Sequence, residues 1–307
     1  MLGCDYNVKG SGKALLDAVS NTHRDADYYA ELVFHDKAPI EAPPDTVAFL
    51  PVMRCGNMTG DASGAEEAYP QKNDWYGATM QGVADLAEKG YIPLTLGGDG
   101  SATLPAIEAL KKVHRDEEII LVHFSASPCL TEPSAPIRVL QDKELLKGVI
   151  SIGNRSVSAA DRRVRKEKKV FYLDMHAIYS KGLFCVRDLR NDFPIYVSID
   201  VGCLDPSAAP GSIFAESGGL SVRDLVHVLH GVRAPKILGM DIHGFDPNLD
   251  VYRRDGTGLT TLAAAKVAKE CVLKAYSIST ATQDEGLARV QMMQRQGSLS
   301  DAPYPEH

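Results

Sequence analysis

The sequence predicts an α/β protein in three layers, with a mostly parallel central sheet covered by helices on both faces. Three observations carry this expectation. Short runs of β-branched and aliphatic residues recur with little alternation, as strands buried on both faces require. Stretches of helical periodicity stand between them, and strand–helix alternation makes successive strands parallel. The 307 residues, 44% hydrophobic and 24% charged, suffice for one large core rather than a disordered chain.

The elements follow in order. Residues 46–52 (TVAFLPV) are the first apolar run and the first candidate strand. The stretch 54–72, rich in Gly, Asp and Ala, reads as a surface loop, and 74–89 as a helix opened by Trp75, a core residue by expectation. Strands are predicted at 91–96, 119–124, 149–153, 170–173, 195–200 and 236–241, all continuous apolar runs. Helices are predicted at 101–113, 158–168, 222–229 and 259–275. No proline-rich linker or internal repeat divides the chain, so 1–307 reads as a single domain. Its polar stretch 281–307, with Pro303 and Pro305, is expected to project or fray.

Composition excludes several function classes. A net charge of −7 opposes nucleic-acid binding, and the basic run Arg162 to Lys169 reads as a solvated helix face. No window approaches the ~18 apolar residues of a membrane span. The N-terminal residues lack a charged segment followed by an apolar one, so no signal peptide is expected. The six cysteines are scattered without a C-x-x-C pair, which is ordinary intracellular usage; the cytoplasm is the expected compartment. The segment GSGK at 10–13 is not a phosphate loop, because Asn7 stands where the earlier glycine is needed and Ala14 follows the lysine.

In parallel sheets the chemistry sits in loops at the carboxyl ends of strands. Three segments occupy such ends: Gly97-Gly98-Asp99-Gly100-Ser101, Ser125-Ala126-Ser127-Pro128-Cys129, and Ser198-Ile199-Asp200-Val201-Gly202-Cys203-Leu204-Asp205-Pro206. Two more follow: Ala209-Pro210-Gly211-Ser212 with Glu216 to Leu220, and Gly239-Met240-Asp241-Ile242 with Asp246-Pro247. Together, in this order, they resemble the ureohydrolase superfamily of arginases, agmatinases and formiminoglutamases. Its matching segments read G-G-D-H-S, D-A-H-x-D, S-[IF]-D-x-D-x-x-D-P, A-P-G-T with P-E-P-G-G-L, and G-x-D-[IV]-x-E-x-N-P. The resemblance runs from about Tyr91 to about Cys271.

The resemblance implies a three-layer arginase-like fold, usually assembled as trimers or hexamers, so a homotrimer is expected. It also implies hydrolysis of a guanidinium or related C–N bond by water bridging two Mn²⁺ ions, held by two histidines and four aspartates. Those six ligands fall here on Gly100, Ser125, Ser127, Cys129, Asp200 and Gly202. Only Asp200 keeps the family's side chain. A serine hydroxyl is a poor ligand for a hard dication, and a thiolate favours a softer one. The manganese pair is therefore expected to be absent, with no resident cofactor and no residue in a catalytic role. The family's substrate-reading glutamate falls on Gly244, and no histidine stands in Pro133 to Arg138, where the family carries a proton shuttle.

What remains suggests a scaffold kept for other use. Gly97, Gly98, Ser101, Asp205, Gly218 and Gly219 are suited to tight turns and loop capping. Asp200, Ser125, Ser127, Ile213, Phe214 and Gly244 are expected to line a small pocket, narrowed by Ile213 and Phe214, for a small polar or cationic metabolite. His123 reads as a satisfied core histidine and His243 as a neighbour of the functional position rather than a ligand. Cys129 and Cys203 read as small fillers of the vacated space, with a redox pair or soft-metal site as the sharper alternative. Ser125 beside Asp200 lacks a histidine base for nucleophilic chemistry. The leading expectation is a non-catalytic arginase-like protein with a ligand-binding or regulatory role. Two alternatives stay open: a ureohydrolase with relocated ligands, and an inactive partner subunit of an active paralogue.

Overall fold

The structure, a computed structural model, describes residues 2–3, 74–98, 100–128, 130, 137, 140, 142–168, 170–183, 189 and 191–299, with 2, 3, 74, 75, 166 and 280–299 described by backbone alone. Seven strands form one sheet: β1 (Leu2–Gly3), β2 (Leu94–Leu96), β3 (Ile120–Phe124), β4 (Gly148–Ile152), β5 (Val170–Leu173), β6 (Ile195–Asp200) and β7 (Ile237–His243). Their spatial order is β1-β2-β7-β6-β3-β4-β5, and every pair is parallel. The helices are α1 (Asp74–Glu88), α2 (Thr103–Val113), α3 (Ala159–Glu167), α4 (Met175–Lys181), α5 (Val222–Gly231) and α6 (Leu259–Leu299).

Side chains alternate across each strand, so strands β3 to β7 feed two cores. Leu121 and Tyr196 pack with Val83, Leu104, Ile107 and Leu110 of α1 and α2, and Val164 of α3 borders that core. Val122, Phe124, Val197 and Ile199 pack instead with Ile178 of α4, Leu225 and Val228 of α5, and Ala264 and Val267 of α6. This is the three-layer α/β/α arrangement that the apolar runs predict. Among the described residues no helix is long and apolar enough to cross a membrane.

Two expectations need correcting. Helix α4, capped by Asp174 accepting from the Ala177 amide at 2.8 Å, was not anticipated. The polar C-terminal stretch is not a frayed tail up to residue 299, because α6 continues through Leu299. Its Gln, Glu, Ala, Arg and Met residues favour a helix, and no proline interrupts it before Pro303. The strand predicted at 46–52, the loop at 54–72 and the side chain of Trp75 lie outside the described residues.

The sheet order decides where chemistry can occur. β7, β6 and β3 lie side by side at its centre, so the loops leaving their carboxyl ends meet. Register makes this specific: Asp200 pairs with His243, and the Phe124–Ile199 pair puts Ser125 next to Asp200 in the same row.

Candidate functional site

The site is the row of polar side chains that tops the three central strands. Asp200 ends β6 and caps the short 3₁₀ turn Val201–Cys203, its Oδ1 accepting from the Gly202 amide at 2.8 Å. Its Oδ2 lies 3.1 Å from the Ser125 hydroxyl, which also reaches the Ser127 carbonyl at 2.9 Å. The Ser127 amide returns a bond to Ser125 Oγ at 3.3 Å, and Asn154 Nδ2 holds the Ser125 carbonyl at 2.9 Å. Ser125, Ser127 and Asp200 are thus brought together, with Ser125 buried and the other two half-buried. Cys129 lies outside the described residues, so the reading of it with Cys203 does too. Cys203 itself is fully buried, and burial pushes its thiol well above the usual thiol range.

The three glycines beside this row are enclosed. Gly100 has φ +93°, and a Cβ there would lie 2.7 Å from Cε1 and 3.0 Å from Nδ1 of His243. Gly244 has φ +90°, and a Cβ there would overlap Asp200 Oδ1. Both conformations are ones L side chains rarely adopt. At Gly202 a Cβ would stand 3.1 Å from both Asp200 Oδ1 and Ser212 Oγ, tight but facing only side-chain ends. Ile213 is half-buried and its amide donates to the Gly244 carbonyl at 2.9 Å. Phe214, by contrast, is 74% exposed. It sits in the outer part of the turn beyond the Ser212–Phe245 bridge and does not narrow the site.

Two residues further down the strands, on the same face, runs a second, buried row: Thr95, Asp241, Ser198, His123, Ser151 and Tyr172 on six adjacent strands. Asp241 anchors it. Its Oδ2 accepts from Thr103 Oγ1 at 2.9 Å and the Tyr196 hydroxyl at 2.8 Å, and its Oδ1 from Ser198 Oγ at 2.7 Å. Ser198 Oγ lies 3.2 Å from His243 Nε2, which is itself 3.6 Å from Asp241 Oδ1. His123 is not the satisfied core histidine expected: among the described residues its Nδ1 has no hydrogen-bond partner. Burial, then the neighbouring His243, lower its pKa to about 3, so the ring is neutral at pH 7. The buried Nδ1 of His243 and Oγ of Ser212 are also without a partner among the described residues.

Two loop-binding residues complete the site. Asp205 accepts from Ser207 and from the amides of Gly218 and Gly219 at 2.8 and 3.2 Å. The Ser207 hydroxyl, then the backbone amides, hold its carboxyl at about 2. Arg155 was missed from sequence. It donates to the carbonyls of Gly153, Gly202, Cys203, Leu204 and Glu216 at 2.6–3.3 Å, while Ser156 binds the Glu216 carboxylate. The position of Arg155 just past β4, after Gly153 and Asn154, was the only signal available. Among the described residues no three His, Cys, Asp or Glu side chains converge as metal ligands.

Known proteins share this fold. The sequence profile of the arginase family matches residues 37–274. Mitochondrial arginase 1 of Arabidopsis thaliana is 29% identical over 201 residues, covering 62% of this chain and 56% of that protein. The mitochondrial guanidino acid hydrolase of Homo sapiens is 30% identical over 211 residues, covering 64% and 58%. The chain thus spans just over half the length of these relatives. Among solved structures, the wild-type T. brucei arginase-like protein in a reduced form is 46% identical, with TM-score 0.67 over 88% of this chain and 90% of that one. A triple mutant of the T. brucei protein bound with Mn²⁺ is 50% identical, with TM-score 0.72 over 90% of each chain. Arginase from Medicago truncatula, 24% identical with TM-score 0.63 over 89% of this chain and 86% of that one, shares the fold. A profile matched across most of the chain, and the ordered loops that meet on a central parallel sheet, place this protein in the arginase family.

Proposed function

We propose that this chain is a non-catalytic member of the arginase family that does not hold the manganese pair, and that the site around Asp200 binds a small polar or cationic ligand. One observation carries the reading: at the strand ends where the family's six ligands would converge, the described side chains offer one carboxylate, Asp200, already bonded to Ser125 and the Gly202 amide. Gly100 and Gly202 offer no side chain at all. Two dications need several carboxylates or imidazoles to offset their charge and lost hydration. The residues present do not fit that pair.

The T. brucei relatives support the reading. One solved form of that arginase-like protein carries four substitutions, three serines to aspartate and one arginine to histidine. Their positions are separated by two, two and 73 residues, the same spacings that separate Ser125, Ser127, Cys129 and Gly202 here. The form bound with Mn²⁺ carries three of those substitutions. Manganese binding in that protein therefore accompanies introduction of the side chain types that this chain lacks at the matching positions.

The test is elemental analysis after Mn²⁺ soaking, alongside hydrolysis of arginine, agmatine and guanidinobutyrate. The expected result is far less than one manganese per chain and hydrolysis at background. Stoichiometric, tightly held manganese in the unmodified protein would overturn the proposal. For the ligand, a thermal-shift screen with guanidinium compounds and diamines is expected to raise the Tm, since a binder of the native state alone stabilises it. Asp200→Asn should abolish that rise and leave the fold unchanged; a rise that survives the substitution would place the ligand elsewhere.

A further inference from the structure

We infer that the two halves of the former metal site were lost unequally: the half at Ser125, Ser127 and Gly202 stays open to new ligands, whereas the half at Gly100 is closed by His243. This rests on the proposed assignment of those positions to the family's ligands, and extends it to what each position can still accept.

Ser125 and Ser127 already carry side chains. Gly202 has an ordinary backbone conformation, and a Cβ there would approach only the ends of Asp200 and Ser212, at 3.1 Å each. Side-chain ends can give by a few tenths of an ångström. Replacement on this side is a matter of chemistry alone.

Gly100 differs in two independent respects. Its φ of +93° strains any L residue. A Cβ would also face three atoms of the His243 ring, at 2.7, 3.0 and 3.2 Å, so the imidazole would have to move as a body. It has little room to do so. His243 ends the central strand β7, every residue of which is buried, and only 6% of His243 is exposed. Its Nε2 is 3.2 Å from Ser198 Oγ, whose proton goes to Asp241, and Asp241 is fixed by Thr103 and Tyr196. The slot for an imidazole from the loop is thus taken by an imidazole from the strand. Restoring a histidine at position 100 requires removing the one at 243.

The experiment combines metal counting with a double-mutant cycle. Ser125→Asp, Ser127→His and Gly202→Asp together should bind about one Mn²⁺ per chain. Adding Gly100→His should leave that count unchanged and lower the Tm, and adding His243→Ala as well should admit a second ion. Two ions per chain in any variant that keeps His243 would overturn the inference. No ion in the triple variant would instead count against the ligand assignment. The steric claim stands or falls separately on Gly100→Ala, measured in the native and the His243→Ala backgrounds without metal. Backbone strain is common to both backgrounds, whereas overlap with the ring is not. The Tm loss should shrink by at least half once the ring is removed, and a Gly100→Ala chain that fails to fold should fold again. Equal losses, or misfolding in both backgrounds, would overturn the closure.

Discussion

His123 lies near the carboxyl end of β3, two residues below the site row, and shows how a single buried side chain sets a pH dependence. Burial and the adjacent His243 lower its pKa to about 3, while the unfolded chain has the ordinary value near 6.5. The sign follows from which state takes the proton. Below pH 6.5 the unfolded chain binds a proton that the folded chain refuses, so stability is full above 6.5 and falls as pH drops towards 3. The slope from this one group is about 1.4 kcal/mol per pH unit. His123→Leu should flatten that part of the profile, read as urea midpoints at pH 7 and pH 5; an unchanged acid slope would show that the ring titrates normally. The type and burial of His123 were legible in the sequence, because it interrupts an apolar run. Its lowered pKa was not, since part of it comes from His243 two strands away. The same holds for Gly100. That position 100 carries no side chain could be read from the sequence, but the ring beside it comes from a residue far along the chain.

At the scale of elements, strand cores were legible and their ends were decided by local chemistry. β5 and β6 coincide with the predicted runs. β2 starts later than predicted, at Leu94: Pro93 has no N–H to give the ladder, although its carbonyl accepts from Met240 at 2.9 Å. β7 runs on to His243 because Ile242 and His243 still pair with β6, and Gly244 at φ +90° ends it. Short helix α4 escaped notice because seven residues carry too little periodicity to read. The helix starts are firmer. In α5, Ser221 Oγ accepts from the Asp224 amide at 3.1 Å and the Asp224 carboxylate accepts from the Ser221 amide at 3.1 Å, a reciprocal cap. Ser221→Ala should therefore cost about 1 kcal/mol in urea denaturation. The loss should not depend on added metal, because α5 packs on the face of the sheet away from α1 and α2.

Across the whole molecule, the loops over the sheet are held by the chain's own side chains as well as by its ladders. β4 and β6 are not neighbours, for β3 lies between them, so the loop after β4 and the turn after β6 share no ladder. Arg155 spans the gap. Its guanidinium presents five N–H donors in a fixed plane and meets the carbonyls of Gly153, Gly202, Cys203, Leu204 and Glu216. Gly202, Cys203 and Leu204 are buried, so carbonyls stripped of that donor cost about 1–3 kcal/mol each where water cannot replace it. Arg155→Ala should lower the Tm by several degrees. It should also speed hydrogen exchange of the amides of 202, 204 and 218–220, while the amides inside β6 keep their protection. Arg155→Lys should rescue little, because an ammonium is a point charge that cannot reach carbonyls spread along a planar fork. A lysine variant that matched wild type in both measurements would show that positive charge alone holds these loops. If the alanine variant instead unfolded strand and loop amides together, Arg155 would belong to the global core rather than to a clamp over the site.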